Sequence, residues 1–297
     1  MRLSTSTNLC AVNRTGPLTD PIEGMKRLAE AGYRVLDFNF RFIKFEEFFL
    51  ARDDWEQELD KIGNEAAKLG IEFSQSHIPY YHPINEIDSY LTDPELHAWF
   101  ESMCERSLHA SAALGVKWAV AHPFTAVDEN CEREASKRKN LAYFAPYVEL
   151  AKKLGIGIAI ENMSDFYGSI IQRRYAATYE DLVDLVDAFQ DESVGICWDF
   201  GHANIMKYDQ SKALTYIGRR LKATHVNDNF GVSDTHNLPF MGTVRWEDVM
   251  RTLVQIGYEG DFTYEIHGMA DRLPPPLKPE ALQYSYEVGQ YLLSLAK

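Results

Sequence analysis

Long apolar runs are missing from this sequence. No window approaches the roughly 18 apolar residues of a membrane span. Residues 1–20 lack the apolar core that a secretory leader needs. The longest apolar stretches, such as GIGIAI at 155–160, are the size of a β-strand. Cysteine is sparse: Cys10, Cys104, Cys131 and Cys197 show no CxxC spacing, and four scattered thiols in 297 residues make no disulfide framework. These absences lead us to expect a cytoplasmic protein. Glycine-rich phosphate loops of the GxGxxG or Walker type are absent too. Basic charge is short, with 30 Lys and Arg against 44 Asp and Glu, a formal charge of −14. That sign opposes a role in gripping a polyphosphate backbone or an anionic membrane, because such binding rests on Lys and Arg. Disorder is excluded by 45% hydrophobic and 25% charged residues, both ordinary for a folded domain.

What is present is an internal echo. An amphipathic segment ends in Leu-Gly, Ala-Gly or Ile-Gly, and a short β-type run follows: LAEAGYRVLDF (28–38), AAKLGIEFSQSH (66–77), SAALGVKWAVAH (111–122), AKKLGIGIAIE (151–161) and LVQIGYEGDFTYE (253–265). Glycine suits the left-handed turn that stops a helix, and the chain then enters a strand within a few residues. Further strands are expected at Arg2–Ser6, Val194–Trp198 and Leu221–His225. Helices are expected over 21–31, 55–69, 94–114, 133–154, 179–190, 210–220, 246–256 and 279–294. Eight alternating pairs at about 37 residues each match an α/β fold, a single (β/α)8 TIM barrel spanning 1–297 as one domain. A doubly wound sheet would use fewer units and a phosphate loop. Within 156–161 and 194–199, Gly157, Ala159, Glu161 and Gly195, Cys197, Asp199 share one face. Ile156, Ile158, Ile160 and Val194, Ile196, Trp198 share the other, suited to packing on helices.

Catalytic groups of such a barrel stand at the C-terminal ends of its strands. Those ends read His77, His122, Glu161, Asp199, His225 and Glu265, with His202, Asp234 and His236 just beyond. A lone histidine there is more often structural, and a lone carboxylate often caps a helix. Five histidines and four carboxylates at matching positions are different, because buried like charges repel unless a cation compensates. No Lys or Arg stands at the strand ends, so a divalent metal is expected. Nitrogen and oxygen donors without sulfur suit Zn2+, Mn2+, Co2+ or Mg2+, at least one per chain. Asp199-Phe200-Gly201 spells a kinase motif without its partner motifs, Lys137-Arg138-Lys139 reads as a solvated helix face, and LPPPLKP (273–279) as a stiff lead-in to the last helix.

The pieces SHIPYYH (76–82), AHP (121–123), IEN (160–162), WDFGHANI (198–205), HVNDN (225–229), DTHNLPFMG (234–242) and YEIHG (264–268) together resemble the xylose isomerase-like TIM barrels. That group includes sugar and sugar-phosphate isomerases and epimerases and the TIM-barrel apurinic-site endonucleases. In its epimerases the equivalents of Glu161, Asp199, His225 and Glu265 hold one divalent metal, and that of His202 contacts substrate. The resemblance therefore implies a metal-dependent isomerase or epimerase of a sugar, sugar phosphate or polyol working through an enediolate. Glu161 and Glu265 would be base and acid, with His202, His77 and His122 on the substrate. Tyr80, Tyr81, Phe38 and Phe40 suit either the apolar walls of a pocket or an ordinary place in the core or loops. In the endonucleases all nine positions bind a three-zinc cluster, so His77, His122, His202, Asp234 and His236 are candidate additional ligands here. An apurinic-site endonuclease and a non-catalytic sugar- or metal-binding barrel stay open as alternatives. Ketose epimerases of this group usually carry an Arg soon after the strand-seven His; here that stretch reads Asn227-Asp228-Asn229-Phe230-Gly231. The loop after strand two (41–57) holds aromatics but more acids than bases, unlike a DNA-gripping loop. The expected partner is a small carbohydrate rather than nucleic acid or membrane, with homo-oligomerisation left open.

Overall fold

A computed structural model describes residues 1–11, 18–45, 47–80, 93–126, 132–167, 171–270 and 273–296. Its eight parallel strands are β1 (Leu3–Ser6), β2 (Val35–Asn39), β3 (Glu72–His77), β4 (Trp118–Ala121), β5 (Gly157–Glu161), β6 (Val194–Asp199), β7 (Leu221–His225) and β8 (Phe262–Tyr264). They pair in the order β8-β1-β2-β3-β4-β5-β6-β7. A parallel bridge between Val226 and Tyr264 joins the two ends. There Val226 N–H donates to the Thr263 carbonyl (2.7 Å) and Glu265 N–H to the Val226 carbonyl (3.0 Å). The chain is thus a (β/α)8 barrel.

The outer ring is α1 (Pro21–Glu30), α2 (Trp55–Leu69), α3 (Pro94–Ala113), α4 (Arg133–Leu154), α5 (Tyr179–Ala188), α6 (Gln210–Ile217), α7 (Trp246–Gln255) and α8 (Lys278–Ser294). Their starts obey local chemistry. Asp20 and Asp93 accept the first free N–H groups of α1 and α3, each followed by proline at the first helical position. At their ends, Gly70 (φ 66°) and Gly155 (φ 74°) adopt the left-handed conformation expected of the Leu-Gly pairs. The chain also forms turns that periodicity did not announce. Short helices at Asn8–Ala11, Phe200–Ile205 and His267–Ala270 follow β1, β6 and β8, and a hairpin pairs Phe166–Tyr167 with Ile171–Gln172. No helix among the described residues is long and apolar enough to cross a membrane.

The alternation read in β5 and β6 sorts side chains as expected. Ile158, Ile160, Ile196 and Trp198 enter the large core between strands and helices. Val120, Ala159, Cys197 and Ala223 form a separate small cluster inside the barrel, with Trp118 against it. Glycine makes room for that indole. Gly157 is paired with Trp118, and a Cβ added there would stand 2.2 Å from the Trp118 ring. The barrel floor is therefore a flat indole over a bare backbone, with small side chains packed above it. A polar layer lies in the same interior, where Gln75 Nε2 donates to Asp37 Oδ2 (2.7 Å).

Of the two places open to them, Phe38 and Phe40 take the core. Both are fully buried in the outer core, their rings 6.0 and 6.5 Å from that of Phe49. The pleat explains Phe38: β2 points alternate residues to opposite faces, and Asp37 turns toward Gln75 inside the barrel, so Phe38 turns toward the helices. Tyr81 lies outside the described residues.

Replacing Gly157 with Ala overpacks this floor, and such changes typically cost about 1–3 kcal/mol. Urea unfolding should show that loss, and Trp118→Leu in the same chain should recover most of it.

Candidate functional site

All nine donors picked out from the sequence meet at the C-terminal mouth of the barrel. His77, Glu161, Asp199 and His225 are the last residues of β3, β5, β6 and β7, while His122 and Glu265 fall one residue beyond β4 and β8. Glu161 is the hub. Its Oε2 lies 3.1 Å from His122 Nε2, 3.4 Å from His77 Nε2 and 3.1 Å from His225 Nδ1, and its Oε1 lies 3.3 Å from His202 Nδ1. Glu265 Oε2 stands 3.5 Å from His225 Nδ1 and 3.7 Å from His236 Nδ1. Asp234, on the rim, reaches His236 Nε2 (2.9 Å) and His202 Nε2 (3.4 Å). Glu161, Asp199, His225 and Glu265 each offer one donor atom, all within 4.8 Å of one another.

Local structure aims these side chains. The Nδ1 atoms of His77, His202 and His236 lie 2.8, 2.8 and 2.7 Å from the carbonyl oxygens of Ile78, Asn162 and Glu265. A carbonyl can only accept, so Nδ1 carries the proton and Nε2 is left for the site. That arrangement fixes imidazoles for metal ligation. Asn162 is a clamp between two strand ends: its Oδ1 accepts from Asp199 N–H (2.6 Å) and its Nδ2 donates to the Asp199 carbonyl (2.9 Å). Asn227 Nδ2 donates to Asp199 Oδ2 (2.8 Å), and only a glycine at 201 admits it, since a Cβ there would stand 1.8 Å from Asn227 Oδ1. His236 is held at φ 46°, a left-handed conformation that costs a non-glycine residue about 1–3 kcal/mol and that concentrates at functional sites.

The electrostatics divide the imidazoles. Burial pushes His122 down to about 3 despite Glu161, leaving it neutral. Burial also opposes charge on His236, but Asp234 and Glu265 overcome it and raise this group to about 9. His202 is raised in the same way, by Asp199 and Asp234 against burial. Burial and neighbouring carboxylates lift Asp199 to about 6, although His202 pulls it down. Without a metal, protons on the histidines therefore supply the compensating positive charge. The donor set fits a divalent ion. His225 Nδ1 is buried without a hydrogen bond although two carboxylates flank it, and the Nε2 atoms of His77 and His122 face one another at 3.1 Å. Such an orphaned nitrogen among oxygens is what a metal would satisfy.

Several neighbours escaped the sequence reading. Asp37 Oδ2 faces His225 Nε2 from below at 3.9 Å; the alternation Leu36-Asp37-Phe38-Asn39 was the available signal. His267 packs against His236 with the rings tilted and their centroids 3.9 Å apart, and forms a further donor group with His236 and Glu265. Tyr80, suited to a pocket wall, lies 4.1 Å from the His122 ring. The strand ends hold no Lys or Arg, but a loop brings the partly buried Arg174 into the field of Glu161 and Asp234. Nothing in the local sequence marks it.

The model of the xylose isomerase-like TIM barrel family matches residues 25–288. The chain belongs to that family. An uncharacterized protein of Methanocaldococcus jannaschii is 31% identical over 134 residues, 44% of each chain. Fructoselysine 3-epimerase of Escherichia coli O157:H7 is 26% identical over 137 residues, 46% of this chain and 47% of that one. The matches thus span about half the length of these curated relatives. Among solved structures, a D-psicose 3-epimerase crystallised in the presence of D-fructose superposes over 100% of both chains with a TM-score of 0.75 at 15% identity, a likeness of fold. In this family's barrel the nine donors occupy the rim that the fold makes available for chemistry.

The raised histidines give a pH prediction for the chelator-treated protein. Unfolded histidines titrate near 6.5, whereas folded His236 titrates near 9. Their contribution to stability is complete below about pH 6.5 and is lost as pH rises toward 9. Melting temperature should fall across that window, and Mn2+ or Zn2+ should abolish the fall, because a divalent ion on the neighbouring carboxylates would replace the proton as the compensating charge.

Proposed function

We propose that this protein is a divalent-metal-dependent isomerase or epimerase acting on a sugar, a sugar phosphate or a related polyol. The observation that carries the reading is the convergence of Glu161, Asp199, His225 and Glu265 from four strand ends, with His225 Nδ1 between the two glutamates. A divalent ion held by these four would supply Lewis-acid polarisation of a substrate carbonyl.

The remaining steps belong to the chain's own residues. One of Glu161 and Glu265 takes the proton from the carbon beside the carbonyl, and the electron pair moves to the carbonyl oxygen to give an enediolate. The other glutamate returns a proton. Delivery to the same carbon from the opposite face inverts it; delivery to the former carbonyl carbon, with transfer of the hydroxyl proton, moves the carbonyl. Burial and close imidazoles tune such carboxylates for this work. His202, its ring set by the Asn162 carbonyl, presents Nε2 to a substrate oxygen. His77 and His122 bind hydroxyls, and the Tyr80 ring beside them makes an apolar wall.

A second reading has one specific observation behind it. His77, His122 and Glu161 lie together, as do His202, Asp234 and His236, so the donors for two further ions flank the first four. A three-zinc phosphodiesterase acting at abasic DNA would use all nine. The charge of −14 opposes it.

Elemental analysis of the purified protein, an abasic-DNA nicking assay and a sugar panel run in D2O separate the readings. We expect about one metal per chain, no nicking, and deuterium incorporated at the α-carbon of a turned-over sugar. Glu161→Gln and Glu265→Gln should each cut turnover by about 10²- to 10⁴-fold, the usual scale of acid–base catalysis. Three zincs with nicking would sink the isomerase reading. Metal without exchange or nicking would assign a binding barrel.

A further inference from the structure

The donor cluster accounts for the carbonyl end of a substrate, and the loops above it bear on the other end. Between His225 and His236 the sequence carries no Lys or Arg. Two arginines from other loops reach the rim instead. Arg174 sits where the segment after the hairpin folds back on the end of β5. Its N–H donates to Asp165 Oδ1 (3.0 Å), and Tyr175 N–H donates to Thr125 Oγ1 (2.9 Å). Ala176, left-handed at φ 57°, then turns the chain so that its carbonyl accepts from Met163 N–H (3.0 Å). These bonds hold Arg174 against the segment that begins at Glu161. Asp165 is occupied by the Arg173 guanidinium and the Arg174 amide. Burial lowers the Arg174 guanidinium to about 10, so it stays cationic at neutral pH.

Arg41 comes from the other side. It follows the end of β2, where Asn39 Oδ1 accepts its N–H (3.0 Å), and its guanidinium carbon stands 5.6 Å from the Tyr80 ring centroid. Tyr80 in turn lies against the rings of His122 (4.1 Å) and His77 (5.0 Å). Both guanidinium groups act on Tyr80, which links the two arms of the rim to the donor cluster.

We propose that Arg41 and Arg174 form an anion-binding rim beside Tyr80, and that the substrate is a polyhydroxy carbonyl compound bearing a carboxylate or phosphate at the end remote from the metal site. This rests on the isomerase or epimerase reading above. A guanidinium offers a planar fork of donors matched to either anion. One charge-assisted contact of this kind is worth roughly 10- to 100-fold in affinity. A different role for Arg174, offsetting the charge of Glu161 and Asp234, would change metal affinity without selecting among ligands.

Calorimetric binding of D-fructose, D-fructose 6-phosphate and D-fructuronate to the Mn2+-treated protein tests this, since the three differ at the terminal carbon. We expect one anionic ketose to bind at least about tenfold more tightly than D-fructose, and the better of the two names the anion. Arg174→Gln and Arg41→Gln should each reduce that preference about tenfold. Arg174→Lys, which keeps the charge without the fork, should retain part of it. Equal affinity for all three sugars overturns the proposal, and so does a preference unchanged in both glutamine variants. Metal loss in Arg174→Gln with the preference intact would assign that residue to charge compensation and overturn its place in the rim. Failure of the underlying reading looks different: an anion preference that persists in a protein holding no metal and exchanging no α-proton removes the isomerase and leaves the rim.

Discussion

A carboxylate buried to 1% exposure and facing four imidazoles is the constraint on which the rest of this barrel depends. Removing a carboxylate from water costs several kcal/mol unless positive charge or donors replace the lost hydration. Around Glu161 the replacement comes from rings whose protons are exchangeable for a metal. Protonated histidine and a divalent ion solve the same electrostatic problem, so a metal bound here would compete with protons for the same rings. The neutral His122 and the raised His202 and His236 are then parts of one balance, in which burial opposes charge on all three rings and carboxylates overcome it at His202 and His236 but not at His122.

Holding that many polar groups at fixed separations requires a stiff surround. Beneath the site, the barrel interior is filled by Val120, Ala159, Cys197 and Ala223, which separate the donors from the Trp118 floor. Beside it, Asn162 and Asn227 lock the end of β6 to its neighbours. The loop after β7 is stapled by Asp228, a buried carboxylate that accepts from the backbone N–H groups of Asn229, Phe240 and Val244 and from Trp246 Nε1. That staple fixes the two ends of the segment carrying Asp234 and His236. The strain at His236 is sustained because its ring is bonded at both nitrogens, to Glu265 and to Asp234.

The donors were legible because a barrel makes their position a property of strand phase. For three of them a helix-stopping glycine starts the count: His77 and His122 come seven residues after Gly70 and Gly115, and Glu161 six after Gly155, each at a strand end or one residue past it. The same phase argument placed Ile158 and Ile160 outward and Gly157 and Ala159 inward. Phe38 and Phe40 stayed open between wall and core because aromatic residues near a strand end suit either, and only the choice of face separates them. Arg174 and His267 were invisible for another reason. Each is placed by a turn whose geometry is closed by bonds to distant residues: Thr125 for the segment of Arg174, and Asn8 for His267. Local periodicity contains no record of those closures.

Net charge looks different once the site is resolved. Glu161, Asp199, Asp234 and Glu265 are four of 44 acidic residues, so one divalent ion would bring −14 only to −12 and three would bring it to −8. The acidic excess belongs to the outer surface. Exposed charges more than about 10 Å apart are largely screened at ordinary salt, whereas partly buried ones are not. A global charge of −14 therefore disfavours a long polyanion that must lie across the surface, yet says little about a single small anion entering the mouth. There the field is set by a few desolvated groups, and Arg174 is among them. An acidic protein with the proposed cationic rim would discriminate between anions by size, repelling a polymer at a distance and admitting a small anion at contact.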